Sequence, residues 1–136
     1  MTDCHRFSSP IYTDENYPEK ELTGKVIGVL FEVYNKLGFG YSEKVYQEAI
    51  ATELASRGIK FHRENLSKIS YKDRKIGYVF HDFLIENKVI LEVKVGTGLF
   101  TSNVSQVLSY LKGSRLRVGL ISVFTKERVL IKRVIL

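Results

Sequence analysis

Residues 89–95, Val-Ile-Leu-Glu-Val-Lys-Val, are apolar on both faces except at Glu92 and Lys94. A run apolar on both faces marks a strand covered on both sides, and residues two apart in a strand point the same way. The preceding run, Tyr78 to Ile85, is broken in the same manner by His81 and Asp82. If the turn between the runs is odd-numbered and centred on Asn87, Asp82 lies across from Glu92 on one face. A two-residue turn would instead set Phe83 there, and the sequence leaves both registers open. Burying a carboxylate without a partner is costly. An internal salt bridge to Lys94 would neutralise one of the two acids and leave the other. The alternative is that both carboxylates share a hard divalent cation, Mg²⁺, which prefers oxygen ligands and keeps waters for a substrate phosphate. Lys94 would then orient or deprotonate a water and stabilise charge developing on phosphate.

Other polar residues stand at spacings that could support such a site. Gln106 and Tyr110 are four apart and stack on one helix face, as polar tips beside an apolar stripe. Glu43 and Tyr46 follow Gly40 at the start of a helix, where an acid is also favoured by the helix dipole. Glu32 interrupts the stripe of an earlier helix, either as a further acid reaching the site or as an edge position. His5, His62 and His81 form no metal-ligand spacing with one another, and Cys4, the only cysteine, excludes an intrachain disulfide or a cysteine-based zinc site. Gly38-Phe39-Gly40 follows a helix rather than a strand, which argues against a phosphate-cradling nucleotide loop.

These residues need a scaffold, and its elements are legible as changes of period. Leu22 to Leu37 carries a wide apolar stripe at helical spacing with Gly38 just beyond it; Ser42 then caps a second helix stopped by Gly58. From Ile59 the period becomes two, with a polar turn at Lys72 to Lys75 and a second turn at Glu86 to Lys88, so three strands meander. Ser102 or Asn103 can cap a third helix ending before Gly113, and two more strands, Leu116–Phe124 and Arg128–Ile135, close the chain as a hairpin. The order ααβββαββ predicts an α/β (α+β) fold, a central mixed sheet flanked by helices.

Composition sets the limits. The 136 residues are one domain's worth of chain, and 44% hydrophobic content is enough for a packed core. Apolar runs of a few residues fall far short of the roughly 18 needed to span a bilayer, and no secretory signal is evident, so a cytoplasmic protein without membrane attachment is the expectation. Residues 1–21 carry Arg6 and Lys20 against five acids and both prolines, so an acidic, flexible tail is expected there, followed by a domain over 22–136. The net charge of +6 thereby becomes +9 on that domain. Such a balance favours polyanionic partners.

Gly40-Tyr41-Ser42-Glu43-Lys44-Val45-Tyr46 matches the G-x-x-E-x-x-Y signature, and the chain from Leu22 to about Leu136 resembles the GxxExxY protein family, which is similar to the PD-(D/E)XK nuclease superfamily. Supporting matches are Leu22-Thr23-Gly24-Lys25, Arg57-Gly58-Ile59, Asp82 with Leu84-Ile85-Glu86, the Glu92-Val93-Lys94 element, and Gln106 with Tyr110 as a Q-x-x-x-Y element. The resemblance implies a restriction-endonuclease-like core of α-β-β-β-α-β order. It also implies Asp82 and Glu92 as metal ligands, with the Val93 carbonyl completing the shell, and Lys94 as the catalytic lysine. Glu43 would be the helix acid that contacts metal or orients water; Gln106 and Tyr110 would support the site or touch the nucleic-acid backbone. His81 departs from the family pattern, which has a small residue beside the aspartate. The activity implied is Mg²⁺-dependent hydrolysis of DNA or RNA, with Mn²⁺ as a substitute. The alternatives are an inactive nuclease-fold module that binds nucleic acid or a protein partner, and a structural component assembling as a homodimer.

Overall fold

The computed structural model describes residues 17–98 and 101–136. The acidic tail expected before Leu22, with Cys4 and His5, therefore lies outside the described residues up to position 16. Helix α1 spans Lys20–Leu37 and α2 Glu43–Ser56; strands β1 (Phe61–Tyr71), β2 (Arg74–Ile85) and β3 (Val89–Val95) follow, then α3 (Thr101–Ser114), β4 (Val118–Phe124) and β5 (Val129–Ile135). The α-β-β-β-α-β core runs through this order, with one helix added in front and one strand behind.

Local chemistry sets the ends of these elements. Helix α1 starts two residues before the expected Leu22, because the Thr23 N–H and hydroxyl both donate to the Glu19 carbonyl, each at 2.9 Å, and close a first turn upstream. It ends where Gly38, at φ 69°, donates its N–H back to the Tyr34 carbonyl. Ser42 caps α2 by accepting the Val45 N–H at 3.3 Å. Helix α3 runs past Gly113, expected just beyond its end, because the left-handed residue that terminates it is Arg115 at φ 65°.

The turns decide the registers. The expected four-residue turn at Lys72 to Lys75 shrinks to Lys72-Asp73, with φ of 48° and 64°. Positive φ at both positions is the type I′ geometry whose twist matches a hairpin, so Arg74 and Lys75 join β2 instead. Between β2 and β3 the turn is Glu86-Asn87-Lys88, with Glu86 and Asn87 left-handed and Ile85 paired to Val89. It is odd-numbered and centred on Asn87, and the ladder runs only as far as Phe83 opposite Leu91.

The five strands form one sheet in the order β1-β2-β3-β4-β5, antiparallel except for the parallel β3–β4 pair. That parallel pair is what requires α3 as a crossover. Alternation divides the core between two faces. Val89, Leu91 and Val93 pack with Val29, Leu30, Tyr46 and Ile50 of α1 and α2, while Ile90 and Ile121 pack with Val107 and Leu111 of α3. Gly119 of β4 lies beneath α3, where a Cβ would stand 2.6 Å from Val107 Cγ1, so the close approach needs glycine. Among the described residues no helix is long and apolar enough to cross a membrane.

Candidate functional site

Where the β2–β3 ladder stops, two acids take over its hydrogen bonds. Asp82 follows directly from the last pair, and its Oδ2 accepts the Val93 N–H at 2.7 Å. Glu92 in turn is hydrogen-bonded by the backbone of Asp82. Each carboxylate thus receives a main-chain donor from the strand that bears the other acid, and the strands are held together although the ladder has ended. The N–H and C=O of a strand residue point to the same side, so the Val93 carbonyl is directed to the β2 side of its strand. On the other side, the Glu92 carbonyl accepts the buried Ser122 hydroxyl from β4 at 3.0 Å.

Charge at this point is concentrated and poorly solvated. Glu92 is 7% exposed, and its carboxyl is pushed up to about 8, first by burial and then by the neighbouring Asp82 charge, with Glu43 adding to it. Lys94 and the Asp82 backbone hydrogen bond pull the other way without cancelling the rise. Lys94 is therefore close enough to act on Glu92, yet its ammonium does not offset burial and the Asp82 charge.

Helix α2 approaches from the side. Gln47 donates from Nε2 to Asp82 Oδ1 at 3.2 Å, and Glu43, one helical turn earlier, lies on the same helix face. Tyr46 points inward instead: it is fully buried, its ring is stacked on Phe124 at 4.1 Å, and its hydroxyl donates to the Gly38 carbonyl at 2.6 Å. The Glu and Tyr of the G-x-x-E-x-x-Y motif therefore have separate placements, one toward the acids and one in the core. A concavity of about 260 Å³ opens beside them, lined by Glu43, Lys44, Gln47, Glu48 and Arg63. A larger one of about 710 Å³, bordered by Lys20, Arg57, Glu86 and Lys88, lies at the opposite end of β3, away from the acids.

The third helix contributes differently from the expectation. Gln106 is exposed, but Tyr110, expected as a polar tip at the solvent boundary, is 7% exposed and its ring lies 4.2 Å from that of His81. Burial holds His81 down to about 4, so it is a neutral ring at pH 7 packed against Tyr110. The large residue beside Asp82 thus has a packing partner in α3. Glu32 is half-buried on α1.

Gln47 and Ser122 were not singled out by motif. Gln47 could have been found as the residue four beyond Glu43, and Ser122 as the hydroxyl inside the apolar strand Val-Gly-Leu-Ile-Ser-Val-Phe. Among the described residues no group of three or more His, Cys, Asp or Glu side chains is gathered as a metal cage. The donor set at hand is two carboxylates and a strand carbonyl. It fits a hard cation that keeps several waters and takes only one or two protein carboxylates.

The raised Glu92 carboxyl has a consequence for the metal-free protein. Unfolded, it ionises near 4.5; folded, near 8. Within that window the folded state holds the extra proton, so stability must fall as pH rises, by a few kcal/mol in all. His81 has the opposite sign, but only below its unfolded value of 6.5, which leaves 6.5 to about 8 as the window governed by Glu92. Denaturant titrations in EDTA across that range should show a falling midpoint in the native protein and a flat one in Glu92→Gln. An equal slope in both would assign the titration elsewhere.

The PD-(D/E)XK nuclease superfamily model matches residues 20–134. The chain belongs to that superfamily, and its mixed sheet flanked by three helices is a restriction-endonuclease-like fold. A solved structure, SSO0001, shares that fold with a TM-score of 0.54 and 16% identity, over 66% of this chain and 48% of that one. This chain spans about half the length of that structure. No curated protein matches it.

Proposed function

We propose that the protein is a metal-dependent nuclease that hydrolyses phosphodiester bonds of DNA or RNA. One observation carries the reading: Asp82 and Glu92, from adjacent strands, share a site where the Glu92 carboxyl keeps its proton up to about 8 despite the nearby Lys94, a proton that a bound cation would displace. A pair of acids in this condition is stabilised by a cation, and membership in a nuclease superfamily makes a phosphodiester the natural substrate. Asp82, Glu92 and the Val93 carbonyl would hold Mg²⁺, or Mn²⁺ in its place. When bound, the ion supplies Lewis-acid stabilisation of charge on the phosphate.

The remaining roles fall to the chain itself. Gln47, hydrogen-bonded to Asp82 Oδ1, fixes the rotamer of that carboxylate, and the Val93 N–H holds its other oxygen. Ser122 ties down the backbone that carries Glu92. Lys94 orients or deprotonates the attacking water and offsets charge that builds on the phosphate. Glu43, from the first turn of α2, is placed to orient that water. Gln106, exposed on α3, would contact the nucleic-acid backbone, while Tyr110 supports the strand through His81.

Labelled single- and double-stranded DNA and RNA, incubated with the protein and Mg²⁺ or Mn²⁺, provide the test. Cleavage of at least one substrate that stops on adding EDTA is expected. Full cleavage in EDTA, or none with either metal on any of the four substrates, would overturn the reading.

A further inference from the structure

Strands β1 and β2 run on together well beyond the point where β2 parts from β3, so the stretch from Lys68 to Phe80 is a two-stranded ribbon. Nearly all its described side chains are exposed. Three of them are aromatic: Tyr78, 47% exposed, and Phe80, 62%, are two apart on one face of β2, while Tyr71, 61% exposed, belongs to the other face with Ile69 and Gly77. Large apolar groups clustered on a surface mark an interaction site, and an uncovered two-stranded ribbon is only marginally stable in water. The same ribbon carries Lys68, Lys72, Arg74 and Lys75 against the single acid Asp73.

The cations and the rings are interleaved. Lys68 stands directly across from Tyr78, and Tyr71 across from Arg74. The Lys75 ammonium lies 4.5 Å from the centre of the Tyr78 ring and also bonds its hydroxyl; that of Lys72 lies 5.6 Å from the Tyr71 ring. Each of these two rings therefore has an ammonium within reach of a phosphate belonging to any base stacked upon it. Aromatic faces alternating with cations are the means by which proteins hold single strands without reading sequence.

A second copy of the chain is a poorer occupant. It would bring like charges together, and the edge strand β1 carries Lys68 and a register shift at Ile69/Ser70, features that discourage pairing between edges. Position supports a nucleic-acid occupant as well, because the ribbon is the outward continuation of the strand that bears Asp82. Arg74 lies eight residues up β2 from Asp82, roughly 27 Å at about 3.4 Å per residue. A strand stacked along the ribbon is thereby led toward the acids.

We infer that the β1–β2 ribbon is a binding arm for unpaired nucleic acid, with Tyr78 and Phe80 stacking on bases and the neighbouring cations holding the phosphates. The inference rests on the nuclease reading for the chemistry of the ligand, and it narrows the substrate to single-stranded segments.

Fluorescence anisotropy in EDTA, which measures binding without turnover, tests it with a labelled oligothymidylate of about 20 nucleotides and a duplex of equal length. The native protein should prefer the single strand. The double variant Tyr78→Ala, Phe80→Ala should weaken single-strand binding at least tenfold and duplex binding by under about threefold. The pair Lys72→Glu, Lys75→Glu, at exposed positions that spare the aromatic rings, should lower the slope of log affinity against log salt by roughly 1.4. This second variant keeps the test decisive if the first fails to fold. Native-like single-strand binding in both variants would overturn the inference. So would a light-scattering mass showing a dimer that the double aromatic variant abolishes, since the ribbon would then be a self-association face. Arm-dependent binding without cleavage in Mg²⁺ or Mn²⁺ would sink the nuclease reading alone. Cleavage that both variants leave unchanged would sink the arm alone.

Discussion

Replacing Lys94 with alanine is expected to lower metal-dependent cleavage by roughly 10³-fold, the range typical of losing a positioned proton-transfer group or a charge that stabilises the transition state. The fold should survive, because Lys94 is only half-buried at the end of β3 and lies outside both apolar clusters. Two further effects distinguish a chemical role from a structural one. Lys94 opposes the upward displacement of the Glu92 carboxyl in the metal-free protein, so its removal should carry the fall in stability measured in EDTA to higher pH. Lys94→Arg keeps the charge but replaces the compact ammonium with a planar guanidinium that is always charged; it should restore that stability profile and leave the rate low. Single-turnover cleavage with metal and denaturant titrations in EDTA, for the native protein and both variants, read these outcomes. Native-like rates in Lys94→Ala would remove the lysine from the chemistry.

Tyr46→Ala should destabilise the protein by about 3–5 kcal/mol, as expected for deleting a large buried aromatic side chain. The ring is fully buried, stacked on Phe124 with 13° between planes and met edge-on by Tyr41, and its hydroxyl ties α2 to the Gly38 carbonyl at the end of α1. Such a loss is a large share of the 5–15 kcal/mol that typically separates folded from unfolded chains, and activity should fall with the folded fraction. Tyr46→Phe retains the stacking and gives up one hydrogen bond, so about 1 kcal/mol should be lost and cleavage kept. Urea denaturation alongside activity measurements separates the two. A Tyr46→Phe protein of near-native stability that no longer cleaves would move the hydroxyl from the core to the reaction.

The two residues of one motif thus answer to different demands, which a spacing cannot reveal. Glu43 and Tyr46 are three apart and neighbours on the helix, but Tyr46 is the anchor that seats α2 against β4, and that seating brings Gln47 onto Asp82. In a linear reading Gln47 carries only the weak signal of standing four residues beyond Glu43. A glutamine on a helix is ordinarily solvated, and its role exists only once an acid from another element stands 3.2 Å away. Tyr110 departs from its spacing for a similar reason: four residues after Gln106 it reads as a polar tip, yet its ring is buried against the bulky His81 beside Asp82.

What the sequence determined by itself were properties governed by near neighbours. Apolar period marked the helices and strands, Ser42, Gly38 and Gly58 marked helix ends, and a run apolar on both faces made Glu92 and Lys94 conspicuous. The tertiary structure decided whatever depends on residues distant along the chain. The strand register is one such case. Left-handed Glu86 and Asn87 select a three-residue turn that aligns Ile85 with Val89, and a shift of one residue would have put Phe83 opposite Glu92 and reversed every side chain of the strand. The sharing of hydrogen bonds between Asp82 and Glu92 is another, for it depends on the ladder ending at Phe83. Two acids in a sequence are only two charges; packed at the end of a ladder, they exchange backbone hydrogen bonds, and burial leaves one of them holding its proton up to about 8.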